Sequence, residues 1–389
     1  MDDGPLKLAL IRQRYTPFGG AERFMTRALE ALSQQGVDIT LISRAWELDD
    51  TDGTQPAWQH LRCDPPYAKW LGRAARDRSF SVAARSLLSQ HAFDLIQTHE
   101  RIPGCDIYRA GDGVHAAWLA ERDRNEGVWG HGTRKLSPFH RHQLAAEAAL
   151  YEDPELRAVI CNSQMVADEI VRYYALNPSK IHLIYNGVDT SDFHPQLASR
   201  YRLSGRASLG IDDKTPLLLF VGNGFARKGL PQLIKAFACM EQDALLAVVG
   251  ADRQLGAMQK LARRLRVASR VFFLGPQPDV RPCYGMADAL VLPSRYDPCP
   301  NAALEALASG LPLLTSRTCG AQEWIHSGQN GYIADALDIE SIAERLDDLC
   351  LLALRPEARA AARAAVQSFT LEAMSARLLD LYQSLLNEG

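Results

Sequence analysis

The chain has 389 residues, about two to three domains' worth, more than one hydrophobic core normally serves. With 47% hydrophobic and 23% charged residues it lies in the globular range, which excludes collagen-like, low-complexity and wholly disordered chains. Lysine plus arginine number 43 against 46 acids, a formal net charge of -3, which excludes a nucleic-acid binder acting through a global positive field; a local basic patch stays open.

The amino-terminal Met1-Asp2-Asp3-Gly4-Pro5 carries acids where a secretory signal carries basic residues, so export is not expected. No window approaches the roughly 18 to 20 uninterrupted apolar residues of a membrane span. The cysteines (Cys63, Cys105, Cys161, Cys239, Cys283, Cys299, Cys319 and Cys350) form no Cys-x-x-Cys pair and have no histidine at metal-ligand spacing. Free thiols, a cytoplasmic location and no structural metal are the expectation.

In chain order, Leu6 to Ile11 reads as a buried strand and Pro17-Phe18-Gly19-Gly20 as a tight loop. Ala21 to Gln35 has helical spacing of Phe24, Ala28, Ala31 and Leu32, Gly36 stops it, and Val37 to Ser43 is a second strand. That is a βαβ unit. Strand signals recur at Phe93 to Thr98, Val159 to Asn162 and Ile181 to Tyr185, so the first half is expected to be an open parallel α/β sheet. The turn-rich stretch from Asn186-Gly187-Val188-Asp189 through Phe193-His194-Pro195 marks the interdomain linker.

The alternation then restarts. Strands are expected at 217–221, 245–249, 271–274, 289–292 and 311–315, with helices at 229–240, 255–266 and 301–308, a second Rossmann-type domain. Leu371 to Leu386 repeats Leu371, Met374, Leu378, Leu379, Leu381, Tyr382 and Leu385 at helical spacing. The expected division is 1–192, 193–370, and a carboxyl-terminal helix, 371–389, that returns to the first domain. Two such domains in series place a cleft between the carboxyl edges of their sheets, where ligands bind.

Three loops carry chemistry. Phe18-Gly19-Gly20 lies between strand and helix, where glycines permit close backbone approach and free N–H groups favour an anion; a plain turn is the alternative. Val221-Gly222-Asn223-Gly224-Phe225-Ala226-Arg227-Lys228-Gly229 also leaves a strand for a helix. Two cations there oppose the helix dipole unless something anionic sits between them, and a diphosphate would reconcile them; a solvated pair is the alternative. In the third, Asp297-Pro298-Cys299-Pro300-Asn301-Ala302 runs on to Glu305, so two carboxylates eight positions apart can accept hydrogen bonds from sugar or ribose hydroxyls. An acidic helix start is the alternative.

Together these segments resemble the retaining glycosyltransferases of family 4, whose fold is the two-domain GT-B fold. The resemblance covers most of the chain: the Gly-Gly loop, Arg-Lys-Gly, Asn-Gly-Val-Asp, and the acid-x7-acid element followed by Ala-x-x-x-Gly-x-Pro. Within the family the likeness is nearest to the glucosyltransferases of the lipopolysaccharide core, through Pro17 to Gly20, Pro103-Gly104-Cys105-Asp106-Ile107-Tyr108 with Asp112 close behind, and Phe225 to Gly229.

The resemblance implies transfer of a hexose, glucose, from a UDP-sugar to a saccharide acceptor, heptose of the lipopolysaccharide inner core. Arg227 and Lys228 would hold the donor diphosphate and offset the charge that grows on it as the glycosidic bond breaks. Glu305 would bind the ribose hydroxyls and Asp297, where the family usually has Glu, the transferred sugar. Gly19 and Gly20 would approach the donor, and Asp112 would sit near the anomeric centre. Relatives offer backbone N–H donors just after the first acid; Pro298 and Pro300 have none, so Cys299, Asn301 and Ala302 must supply them. No metal and no cofactor beyond the nucleotide-sugar co-substrate are implied, and no Asp-x-Asp sits at a strand end.

Between Val114 and Gln143, Trp118, Trp129 and Phe139 lie among Arg122, Arg124, Arg134, Lys135 and Arg141, with His131, His140 and His142. Such a segment suits an anionic bilayer surface, each cation contributing about 1 kcal/mol, and would bring the enzyme to a lipid-linked oligosaccharide on the inner face of the cytoplasmic membrane. A solvated basic loop is the alternative. Two other functions compete: a GT-B-type sugar-nucleotide epimerase, and a non-catalytic nucleotide-sugar-binding protein. A nucleic-acid partner is not expected.

Overall fold

The computed structural model describes residues 5–15, 29–46, 58–124 and 137–388. The chain divides into two compact units: Met1–Gly187 with Leu371–Gly389, and Val188–Thr370.

Unit 1 contains β1 (Lys7–Ile11), β2 (Arg14–Tyr15), β3 (Asp38–Ser43), β4 (Ala45–Trp46), β5 (Gln59–Arg62), β6 (Leu95–Thr98), β7 (Ile107–Arg109), β8 (Ala158–Cys161) and β9 (Ile181–Leu183). Seven of them form one sheet in the order β5-β3-β1-β6-β7-β8-β9, with every pair parallel. β2 and β4 pair separately. A parallel sheet is covered on both faces, so its inner strands are apolar throughout.

The pleat alternates the two faces. Leu8 and Leu10 join Ile39, Leu41, Leu95 and Ile160 in a core closed by Met374, Leu378, Tyr382 and Leu385 of the helix Leu371–Asn387. Ala9 and Ile11 face the other way, with Ile42, onto Phe80, Ala84 and Leu88 of the helix Gly72–Leu88. Each large side chain so buried contributes roughly 1.5–3 kcal/mol. The phenol of Tyr382 would be costly in this core, and it donates to Gln97 Oε1 at 2.8 Å.

Unit 2 contains β10 (Leu217–Val221), β11 (Leu245–Val249), β12 (Val271–Gly275), β13 (Ala289–Leu292), β14 (Leu313–Ser316) and β15 (Gly331–Ala334). The order is β12-β11-β10-β13-β14-β15, again all parallel. Its first strand in the chain lies centrally, its second and third to one side and its fourth to sixth to the other, the doubly wound dinucleotide-binding order. The chain therefore reverses direction across the sheet between β10 and β13, and in sheets of this order ligands bind outside the carboxyl ends of such strands. Unit 1 repeats the arrangement around β1, which lies between β3 and β6.

The opposite, amino-terminal edge of the unit 2 sheet is pinned by charge. Asp288, just before β13, accepts from Arg206 Nη2 at 2.6 Å, Arg202 Nη1 at 2.7 Å and the backbone N–H of Leu217 at 2.8 Å. Arg206 is 1% exposed and spends its other donors on the carbonyls of Met286, Asp212 and Thr215. Among the described residues no helix is long and apolar enough to cross a membrane.

Candidate active site

In unit 2 the loop leaving β10 folds back on itself through glycine. A Cβ on Gly222 would lie 2.3 Å from Lys228 Cδ, so glycine leaves the path that this side chain takes to Asp297. Gly229, at φ +80°, is the N-cap just before the helix Leu230–Phe237, and a Cβ there would lie 1.9 Å from the carbonyl oxygen of Pro293. That contact brings the β10 loop against the loop leaving β13, and Arg295 N–H donates to the Arg227 carbonyl at 2.8 Å across it. Asp297 is clamped from a third loop: its N–H donates to Thr318 O at 3.0 Å and its carbonyl accepts from Gly320 N–H at 2.9 Å.

The three loops bring Arg227, Lys228 and Asp297 together. Lys228 Nζ donates to Asp297 Oδ2 at 2.8 Å, and Arg227 Nη1 lies 3.3 Å from the same oxygen while donating to Tyr296 O at 2.9 Å. Burial alone would raise the Asp297 carboxyl, but Lys228 and Arg227 override it and hold the group below the usual carboxylate range. The Arg227 side chain is 39% exposed, where an anion can reach it. Asp297 thus holds both cations in place.

Glu305 lies one turn into the helix Asn301–Ala308, and its Oε2 accepts from Tyr284 OH at 2.7 Å. Pro300 is the N-cap of that helix, and its side chain makes no capping hydrogen bond. Cys299 is buried. Cys319, bridged to Asp297 through the backbone, is also buried, and burial together with the Asp297 charge pushes its thiol up to about 12.

In unit 1 Asp112 follows β7, and its side chain is 57% exposed with Arg12 Nη1 at 3.7 Å. The loop that carries it is pinned on both sides. Asn162 Nδ2 donates to Gly111 O at 3.3 Å, Arg101 Nη2 to Gly113 O at 3.1 Å, and His115 N–H to Glu147 Oε1 at 2.6 Å. Glu147, in the helix Pro138–Tyr151, is 0% exposed and also accepts from Arg101 Nε at 2.8 Å and Tyr174 OH at 2.6 Å. Burial by itself would lower the Arg101 guanidinium, but Tyr108, Glu147 and Asp112 reverse that and keep it charged. Glu100 meets the Gln13 N–H at 2.8 Å beside this group, and burial, with Arg109 and Arg12, drives His99 well below its usual range.

Gly19 and Gly20 lie outside the described residues, as do Trp129, His131, Arg134 and Lys135 of the basic segment. Of that segment, Arg122 lies 5.7 Å from the Trp118 ring centroid, and Phe139 is covered by Arg73 at 4.1 Å. His115 Nε2 and His140 Nδ1 lie 3.1 Å apart, and burial, with Arg101 and His140, depresses His115 to about 3.

Sequence reasoning missed Arg12, His99, Glu100, Arg101, Glu147, Tyr174 and Tyr284. One had a signal: Glu147 is a lone acid in Leu144-Ala145-Ala146-Glu147-Ala148-Ala149-Leu150, where an apolar helix face admits a carboxylate only if it is fully bonded.

Residues 203–367 match the family model described as Glycosyl transferases group 1, and residues 18–192 the one described as Glycosyltransferase Family 4. The uncharacterized glycosyltransferase MJ1607 of Methanocaldococcus jannaschii is 31% identical over 356 residues, 88% of this chain and 88% of that protein. The chain belongs to this glycosyltransferase family. The lipopolysaccharide glucosyltransferase WaaG of Escherichia coli is 27% identical to it over 345 residues, 87% of this chain and 88% of that protein. A crystal structure of WaaG, described as a glycosyltransferase involved in lipopolysaccharide biosynthesis, matches with a TM-score of 0.82 at 24% identity, covering 96% of this chain and 99% of that one. Anabaena Alr3699/HepE in complex with UDP-glucose matches at 0.73 and 20% identity, covering 97% and 100%. The glycosyltransferase accordingly has the GT-B fold, two Rossmann-like parallel-sheet domains.

Proposed function

We propose that this glycosyltransferase is a retaining, metal-independent glucosyltransferase that moves glucose from UDP-glucose to the inner-core heptose of lipopolysaccharide. The observation that carries the reading is the Arg227–Lys228–Asp297 cluster at the carboxyl ends of β10 and β13, a cation site where a doubly wound sheet receives a nucleotide. The likeness to WaaG supports glucose as the sugar and lipopolysaccharide as the acceptor's class, and the UDP-glucose complex of HepE supports the donor.

Unit 2 is then the donor domain. Arg227 and Lys228 bind the diphosphate and offset its charge as the bond to the sugar breaks; Glu305, oriented by Tyr284, takes the ribose hydroxyls. Asp297 and the backbone of Cys299, Asn301 and Ala302 serve the sugar, and Gly19 and Gly20 approach the donor. Unit 1 is the acceptor domain and brings Asp112, which stabilises positive charge on the sugar or orients the acceptor hydroxyl. The hydroxyl attacks on the face the diphosphate leaves, and a departing phosphate oxygen takes its proton. The enzyme works in the cytoplasm, peripheral on the inner face of the membrane, with the basic stretch 114–143 against anionic lipid. No cofactor or metal takes part.

The test supplies UDP-glucose and lipopolysaccharide truncated at inner-core heptose, in excess chelator, and reads the product's anomeric proton by NMR. An α-glucoside is expected; a β-glucoside, or transfer only after a divalent ion is added, contradicts the reading.

A further inference from the structure

We propose that Glu147 is a positioning residue that holds the Asp112 loop for the transfer step. The inference rests on the role given to Asp112 above. A carboxylate at 0% exposure is costly unless paired and fully hydrogen-bonded, and an apolar residue in an alanine-rich helix would fill the space at no such cost. What the carboxylate adds is connectivity. Oε1 receives Arg101 Nε and the His115 N–H, and Oε2 receives Tyr174 OH, so three separate elements converge on one group.

Two of those donors hold the backbone just after Asp112. Arg101 reaches past Glu147 to the carbonyl of Gly113, directly after Asp112, and His115 N–H lies two residues further on. The exposed Asp112 side chain therefore stands on backbone fixed through Glu147. Glu147 also commits the charge of Arg101. Asp112 lies within the field of the same guanidinium, so loss of the Glu147 charge frees Arg101 to draw Asp112 toward itself. A loop anchored in this way keeps a reacting group within the narrow geometry that transfer requires.

A double-mutant cycle tests this with UDP-glucose as donor and heptose-terminated lipopolysaccharide as acceptor, in the full-length protein. Glu147→Gln, which keeps the shape and removes the charge, is expected to lower kcat about 10- to 30-fold with the KM for UDP-glucose within about threefold of wild type. Asp112→Asn should lower kcat about 100-fold or more, and the double variant should match Asp112→Asn within about threefold. Effects that multiply overturn the positioning role while leaving Asp112 in its own, since a general loss of folding would multiply. An unchanged kcat in Asp112→Asn overturns the reading of Asp112, and the role of Glu147 with it. If Glu147→Gln shows no cooperative melt, Tyr174→Phe, which removes one of the three bonds, takes its place in the cycle, with an expected loss of about 3- to 10-fold and the same absence of multiplication.

Discussion

Lys228→Ala is expected to lower kcat by about 100- to 1000-fold, the largest catalytic effect of any single substitution in unit 2. The ammonium is preorganised: Gly222 clears its path, and Asp297 holds it at 2.8 Å. A donor already aimed at developing charge costs no reorganisation during the reaction, and loss of one such donor costs about 2.7–4 kcal/mol of transition-state stabilisation. At about 1.4 kcal/mol per tenfold, that is the fall given. The fold should survive. Asp297, although buried, keeps Arg227 at 3.3 Å, so the carboxylate is not left alone and the roughly 3–5 kcal/mol cost of an orphaned buried charge is not incurred in full. Steady-state kinetics and a chemical denaturation curve on the same preparation check both halves. A kcat within threefold of wild type would remove Lys228 from the mechanism.

Asp288→Ala is expected to be the most destabilising change, at about 3–5 kcal/mol, a large part of the roughly 5–15 kcal/mol that holds a domain folded. Arg202 keeps Asp213 as a partner at 2.5 Å. Arg206 does not recover: at 1% exposure it would face only carbonyls, and the Leu217 N–H that starts β10 would lose its acceptor. The two outcomes separate by place. Asp288 stands at the amino edge of the sheet, and the five residues of β10 put about 16 Å between that edge and the cation cluster. Denaturation should therefore show the loss of stability, while kcat per folded molecule stays within about threefold. A stability loss below about 1 kcal/mol would mean the charges are solvated after all.

These two sites also show how far the sequence could be read. The strands Leu217–Val221, Leu245–Val249 and Ala289–Leu292 and the helix Asn301–Ala308 are legible residue for residue, because a buried parallel strand is an unbroken apolar run. Ends were less so. The helix expected from Gly229 to Met240 spans Leu230–Phe237, since Gly229 at φ +80° lies outside it. The strand expected at 311–315 is Leu313–Ser316, because Pro312 has no N–H to give to the ladder. β5 carries little apolar signal: Leu61 alone packs inward, while Gln59, His60 and Arg62 suit an exposed edge, where polar side chains guard against pairing.

The candidate site divides in the same way. Arg227, Lys228, Asp297 and Glu305 stand out locally, as cations on a glycine-rich turn and acids around a helix start. That Lys228 and Asp297 meet is a contact across 69 residues and leaves no local trace. The support of Asp112 is the extreme case, since Arg101, His115, Glu147 and Tyr174 come from four separate stretches, and the Arg101–Glu147 pair alone spans 46 residues.

The most direct test of the account is calorimetric titration of the protein, in chelator, with UDP-glucose, UDP-galactose, UDP-N-acetylglucosamine, and ADP- and GDP-linked sugars, with UDP release followed in the same samples. Selective binding of UDP-glucose, with slow release of UDP in the absence of a divalent ion, is expected. Binding of none of the UDP-sugars, or binding only once a divalent cation is added, would contradict it.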